Sequence, residues 1–172
     1  MKNFSLFILL CNFLSCCTIR EKSKIHYLST LENVKFIVSK KDSIRIDSVK
    51  TSLKRTQEKF DKAKNDGWIC FEPYDKAEYI KGGVDAFRKS IFEKFKVSKN
   101  AKEGENLIRF TIGKKNNLEE VEILKYSDKK SKMQIENIFR LKEFDHWSSA
   151  RIEHIPVKQQ FEISIFIRKN NN

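Results

Sequence analysis

Proline and glycine are scarce, at two and five in 172 residues, so the chain is neither collagen-like nor a Pro-rich or low-complexity segment. Histidine is scarcer than a catalytic or metal centre would want: His26, His146 and His154 are the only three. His146 and His154 have no cysteine or third ligand at a zinc-like spacing. Asp145-His146 and Glu153-His154 are neighbours in sequence, and neighbours on a strand face opposite ways, so neither pair reads as a general acid with its base. There is no Gly-rich phosphate loop and no Gly-x-Ser-x-Gly elbow. The histidines read as surface or loop residues. No enzymatic activity, cofactor or metal is expected.

Long apolar runs are also missing. The longest, Phe4 to Leu14, falls short of the ~20 residues that cross a bilayer and suits the core of a signal peptide. Three of the four cysteines, Cys11, Cys16 and Cys17, lie in or just after it. Only Cys70 lies in the body, so no disulfide can form within it. Within Trp68-Ile69-Cys70-Phe71 it reads as a small buried apolar residue.

Charge is what the chain has in plenty: 34% of residues are charged and the net charge is +12. The excess is spread along the whole length rather than gathered on one element with interleaved aromatics, so nucleic acid is not an expected partner. A solvated, Lys-rich surface is the reading, and it is compatible with weak attraction to an anionic membrane.

The amino terminus reads as an address. Phe13-Leu14-Ser15-Cys16-Cys17, straight after the apolar run, resembles a bacterial lipobox, with Ser15 as the small residue and Cys16 as the lipidated new amino terminus. Cys17 is the alternative lipidated residue. Plain cleaved secretion and an uncleaved membrane anchor are the competing readings. The expected divisions are a signal peptide with lipobox over 1–16, a tether or small extra element over 17–66, and a globular domain over 67–172.

In the middle segment, Val34 to Val38 and Ile44-Arg45-Ile46 are strand-like, and Lys40-Lys41-Asp42 between them predicts a hairpin turn. Ser52 is expected to cap a mostly exposed helix running to about Asn65, with Gly67 as its stop.

The carboxy-terminal part is more regular. Gly82-Gly83 frees the backbone for a turn, and Val84, Phe87, Ile91 and Phe95 then fall on one helical face. Ile108, Phe110 and Ile112 alternate with Arg109 and Thr111, and Val121 and Ile123 alternate with glutamates, with Lys114 to Asn117 as the turn between two strands. A second helix is expected from about Lys129 to Lys142, capped by Asp128, with Ile135, Ile138 and Phe139 buried. Trp147 reads as a core plug. The last strand alternates from Val157 to Ile167. These elements predict an α+β, two-layer domain: a small antiparallel sheet of about three strands with two helices packed on one face.

In this order (Gly-Gly, helix, strand, turn, strand, helix, Trp, Pro-Val, final strand) residues 70–168 resemble the carboxy-terminal domain of the TonB family in its Gram-negative Pro-Gly-Gly form. Ile80-Lys81-Gly82-Gly83 lies where that form has Phe-Pro-Gly-Gly, and Val97 to Lys102 where it has Tyr-Pro-x-x-Ala-Lys/Arg. Lys114 to Asn117 replaces its Asp-x-x-Gly turn, and Trp147-Ser148-Ser149-Ala150 lies where it has Trp-x-Pro-Ala/Gly. His154-Ile155-Pro156-Val157 matches the lead-in to its last strand. Family prolines are replaced here by Lys81, Ser98 and Ser149.

TonB-like proteins carry energy from an inner-membrane motor to outer-membrane transporters, holding an extended transporter segment as an added strand on the edge of their sheet. Main-chain groups supply the hydrogen bonds in that mode. The resemblance implies that the final strand is the edge here, with Val157, Lys158, Gln159, Gln160, Phe161, Glu162 and Ile163 meeting the partner. That partner would be an outer-membrane transporter or another envelope protein, and pairing of two such edges would give a homodimer. The expected function is a periplasm-facing binding module, lipid-anchored to the inner or outer membrane. The alternatives are a true energy transducer, which needs an uncleaved anchor or a partner, and a structural envelope lipoprotein without a transport role.

Overall fold

The computed structural model of the chain describes residues 23–62 and 74–170. The apolar amino-terminal run, the lipobox residues Cys16 and Cys17, and Cys70 fall outside the described residues. In chain order the elements are β1 (Lys24–Leu28), β2 (Glu32–Ile37), α1 (Lys40–Lys62), β3 (Tyr74–Asp75), β4 (Glu78–Tyr79), α2 (Gly83–Lys94), β5 (Gly104–Ile112) and β6 (Leu118–Lys125). They continue with α3 (Lys129–Phe139), a 3-10 turn over Lys142–Asp145, β7 (Trp147–Ser148), β8 (Ala150–Ile152) and β9 (Ile155–Lys169).

The fold is α+β, but the sheet is larger than the three strands expected. Seven antiparallel strands form it, in the order β3-β8-β9-β5-β6, with β1 and β2 also paired to β9. A second, two-stranded sheet joins β4 to β7. Among the described residues three helices, rather than two, accompany them. The discrepancy has one main source. β9 is 15 residues long and β5 is 9, and every backbone N–H and C=O along both sides of β9 must find a partner or water. β5 pairs with one side, from Gln159 to Ile167. Three short pieces divide the other side: β8 at 155–157, β2 at 158–162 and β1 at 165–169. Within the segment expected to be a tether or a small extra element, Lys24–Leu28 and Glu32–Ile37 are therefore strands of the sheet.

The expected hairpin over 34–46 is also replaced. Ile44-Arg45-Ile46 is helical, within a 23-residue α1 that starts twelve residues before the expected Ser52 cap. The local signal is Ser39-Lys40-Lys41-Asp42: the Asp42 N–H donates to Ser39 Oγ at 3.2 Å, as in a capping box. Asp42, Ile46, Val49, Leu53 and Gln57 then face inward at helical spacing. The β-branched isoleucines are overridden by that stripe and by a buried Asp42, which receives Lys114 from the β5–β6 turn and whose carboxyl these bonds from Lys114 and Ser39 hold below its ordinary value.

The main core lies between the sheet and the pair α2 and α3. Phe87 and Ile91 of α2, Phe95 just after it, and Ile135 of α3 are fully buried against Ile108, Phe110, Ile112, Ile163 and Ile165. Phe87 sits at its aromatic centre, with ring centroids 4.9 Å from Trp147, 5.2 Å from Phe110 and 5.5 Å from Tyr79. Trp147 is a core plug, as expected: it is fully buried and its indole N–H donates to the Phe144 carbonyl at 2.9 Å.

Candidate strand-addition edge

Val157 to Ile163, the residues expected to meet a partner, do not form an open edge. Val157 pairs with Ala150 on β8. Lys158, Gln159, Gln160 and Glu162 pair on one side with Ile37, Phe36, Lys35 and Glu32 of β2. On the other side Gln159, Gln160, Phe161, Glu162 and Ile163 pair with Ile112, Thr111, Phe110, Arg109 and Ile108 of β5. Phe161 and Ile163 point into the core, at 3% and 0% exposure. The physical reason is that the chain supplies its own added strands: residues 24–37 occupy the edge that an external segment would have used.

That internal occupant is held by more than its ladder. Ser29 N–H donates to the Ser164 carbonyl at 2.9 Å, and Ser164 N–H donates back to Ser29 Oγ at 3.0 Å. Arg88 Nε on α2 donates to the Ser29 carbonyl at 2.9 Å. His26, read as a surface residue, lies on β1 with its ring 4.4 Å from Phe92 and 5.2 Å from Phe95, and its Nε2 is 3.0 Å from the Phe92 carbonyl oxygen. At a bulge in β2, Asn33 takes φ 49° and donates its amide to Glu162.

β6 is one open edge of the sheet; among the described residues β1, β2 and β3 likewise pair on one side only. Among the described residues its only strand partner is β5, so one side of Leu118–Lys125 has no ladder. A groove of about 410 Å³ runs beside it, between β6 and α3. Val121, Ile123 and Phe139 give the groove its apolar lining, and Glu122, Lys132, Glu136 and Arg140 its polar rim. This combination suits strand addition. Backbone groups of the edge provide hydrogen bonds, and the groove provides a place for alternate side chains of the incoming segment.

Both walls are built from local chemistry. Asp128 caps α3 as expected, accepting from the Ser131 N–H at 2.9 Å. It also accepts from the Lys102 N–H at 3.1 Å, which ties α3 to the chain leading into β5. Burial pushes the Asp128 carboxyl up, but its hydrogen bonds from Ser131 and Lys102 outweigh that and leave it below the usual carboxylate range. The β5–β6 turn closes with Gly113 N–H donating to the Asn117 carbonyl at 2.8 Å, and Asn116 carries the left-handed φ of 62°. Asn116 Oδ1 also receives the Ser149 N–H at 2.8 Å, which anchors the turn to the segment after Trp147.

The side chains of β6 are mostly committed to their neighbours. Glu122 meets Arg109 at 3.4 Å, Lys125 meets Glu105 at 3.0 Å, and Glu119 meets Lys158. These charges guard the edge against indiscriminate pairing while leaving its main chain available. Leu124 and Tyr126 remain exposed beside it.

A second hollow, of about 620 Å³, is lined in part by Leu31, Tyr74, Ala77, Val84 and Phe161, next to the start of the described segment at Tyr74. His146 follows the 3-10 turn, and Glu153 and His154 are the two central residues of the β8–β9 hairpin, both with positive φ. Among the described residues no three His, Cys, Asp or Glu side chains come together as metal ligands, and no helix is long and apolar enough to cross a membrane.

Compared with protein-family models, curated proteins and solved structures, the chain matches none of them.

Arg109, Asn33 and Arg88 carry much of the geometry around β9, and reasoning from sequence did not single them out. Arg109 sat in plain view as the lone cation on the polar face of β5. Its partners were invisible until the register between strands was known.

Proposed function

We propose that the protein is a non-catalytic envelope module, lipid-anchored at Cys16, that binds an extended segment of an envelope or outer-membrane transport protein by strand addition at β6. The observation that carries this reading is the open β6 edge lying directly beside the apolar groove of α3. The resemblance to TonB carboxy-terminal domains supports the mode of binding. Because the edge of β9 is filled, our reading puts the binding at β6 rather than at the last strand. Affinity in this mode comes mainly from main-chain hydrogen bonds, so it needs few particular side chains on the module.

Site-specific photo-crosslinking in a Gram-negative host tests it. The full chain would carry the photoreactive residue at Leu124, beside the β6 edge, or at Ile44, on α1. The reading expects a crosslink from Leu124, none of equal strength from Ile44, and loss of the Leu124 adduct when an extended peptide copied from the captured protein is added in excess. Adducts of equal strength from both positions, or a Leu124 adduct that the peptide does not compete away, would contradict it.

A further inference from the structure

The basic excess of the chain has a local pattern on α1. Lys41, Arg45, Arg55, Lys59 and Lys62 lie with Ser48 and Ser52 on one line, separated by steps of four and three residues. At about 1.5 Å per residue the line is roughly 32 Å long. All seven positions are exposed, and no acidic residue interrupts them. The other acids of the helix fall elsewhere. Asp47 and Asp61 lie off the row, Glu58 stands beside it, three residues from Arg55 and four from Lys62, and Asp42 points inward to Lys114 and Ser39. Arg45 reaches the buried Asp42 only at 4.0 Å. The stripe is therefore a row of net positive charge along the helix, five basic residues with Glu58 at its side.

We infer that this stripe is a docking surface for an anionic lipid bilayer. A row of charge on a helix whose other side packs inward through Asp42, Ile46, Val49 and Leu53 suits a plane. Ile44 stands beside the row at 64% exposure, an apolar side chain placed where an interfacial helix would insert one. The stripe carries no aromatic, Asn or Gln side chain with which to stack on or read bases, so a membrane fits it better than nucleic acid. With the anchoring proposed above, a lipid at Cys16 would also hold α1 within two dozen residues of a membrane.

The test is partition of the purified full chain onto vesicles. One set is pure phosphatidylcholine and the other contains about one-third phosphatidylglycerol. The apolar amino-terminal run contributes to both sets, so the ratio of the two partition coefficients is the readout. Each basic side chain that reaches an anionic surface is worth roughly fivefold. The native ratio should therefore exceed about 30 if only two or three reach it, and should collapse at about 1 M salt, where the Debye length is about 3 Å. The variant carrying Lys41→Gln, Arg45→Gln, Arg55→Gln, Lys59→Gln and Lys62→Gln should bring the ratio close to one, with an unchanged circular dichroism spectrum. A control with Lys89, Lys99, Lys115, Lys129 and Lys130 changed to Gln should keep most of it. Equal loss in both variants would mean diffuse charge and would overturn the inference. So would a native ratio near one, or tighter binding of a duplex DNA than of anionic vesicles at the same salt. None of these outcomes bears on strand addition at β6, which the Leu124 crosslink reads separately.

Discussion

Arg109 on β5 sends both Nε and Nη2 to the same oxygen of Glu162 on β9, at 2.9 and 2.7 Å. The other oxygen of Glu162 receives the Asn33 amide from β2. Arg109 also reaches Glu122 on β6 at 3.4 Å. One polar row thus crosses the sheet from β2 through β9 and β5 to β6, joining the internally added strand to the open edge. Glu162 is 7% exposed, and the amide of Asn33, followed by Arg109, holds its carboxyl below the ordinary value of 4.5.

The sign of the pH effect follows from that depression. A carboxyl whose folded pKa is lowered contributes stability that is fully present above its unfolded value and lost as pH falls through the folded value. Stability from this row should be complete above about pH 4.5 and should decline below it. In Glu162→Gln the denaturation midpoint at neutral pH should fall, and the gap to the native protein should narrow as the solution is acidified. Urea titrations at several pH values measure it; a gap that stays constant with pH would show that Glu162 is not charge-paired.

Asp128 holds the first turn of α3 and the backbone of Lys102 together. Asp128→Ala should cost about 1 kcal/mol, in the range of a lost amino-terminal cap, and Asp128→Asn much less. Because α3 forms one wall of the groove, Asp128→Ala should also weaken segment binding at β6. Chemical denaturation measures the first effect and the competition by added peptide the second.

Trp147 touches Phe87, Phe110, Tyr79 and Phe161 with ring centroids between 4.9 and 6.0 Å. Trp147→Ala should cost about 3–5 kcal/mol, a large share of the stability of a domain this size. Thermal unfolding should show the loss directly, and Trp147→Phe should recover much of it.

Much of the carboxy-terminal half was legible beforehand. The stripe from Phe87 to Phe95, the Asp128 cap, the turn at Lys114 to Asn117, the alternation of β5, β6 and β9 and the plug at Trp147 all follow from local periodicity and capping chemistry. The location of the edge did not. Alternation along Val157 to Ile167 reports which faces a strand shows, and is silent on whether its backbone is already paired. Only strand register reveals that Lys35 and Phe36 lie against Gln160 and Gln159. The hairpin expected at Ile44 failed for a related reason. β-branched residues state a weak preference, and the longer pattern from Asp42 to Gln57 outweighs it.

Amide hydrogen exchange, resolved by residue, tests strand addition at β6 most directly. In the free protein β9, paired on both sides, should exchange slowly along its length, and alternate amides of β6 should exchange fast. Adding the extended segment captured at Leu124 should slow those β6 amides and leave β1 and β2 unchanged. Protection gained along β9 with faster exchange in β1 and β2 would mean that the partner displaces the internal strands instead. That result, or no new protection in β6, would contradict the assignment of β6 as the binding edge.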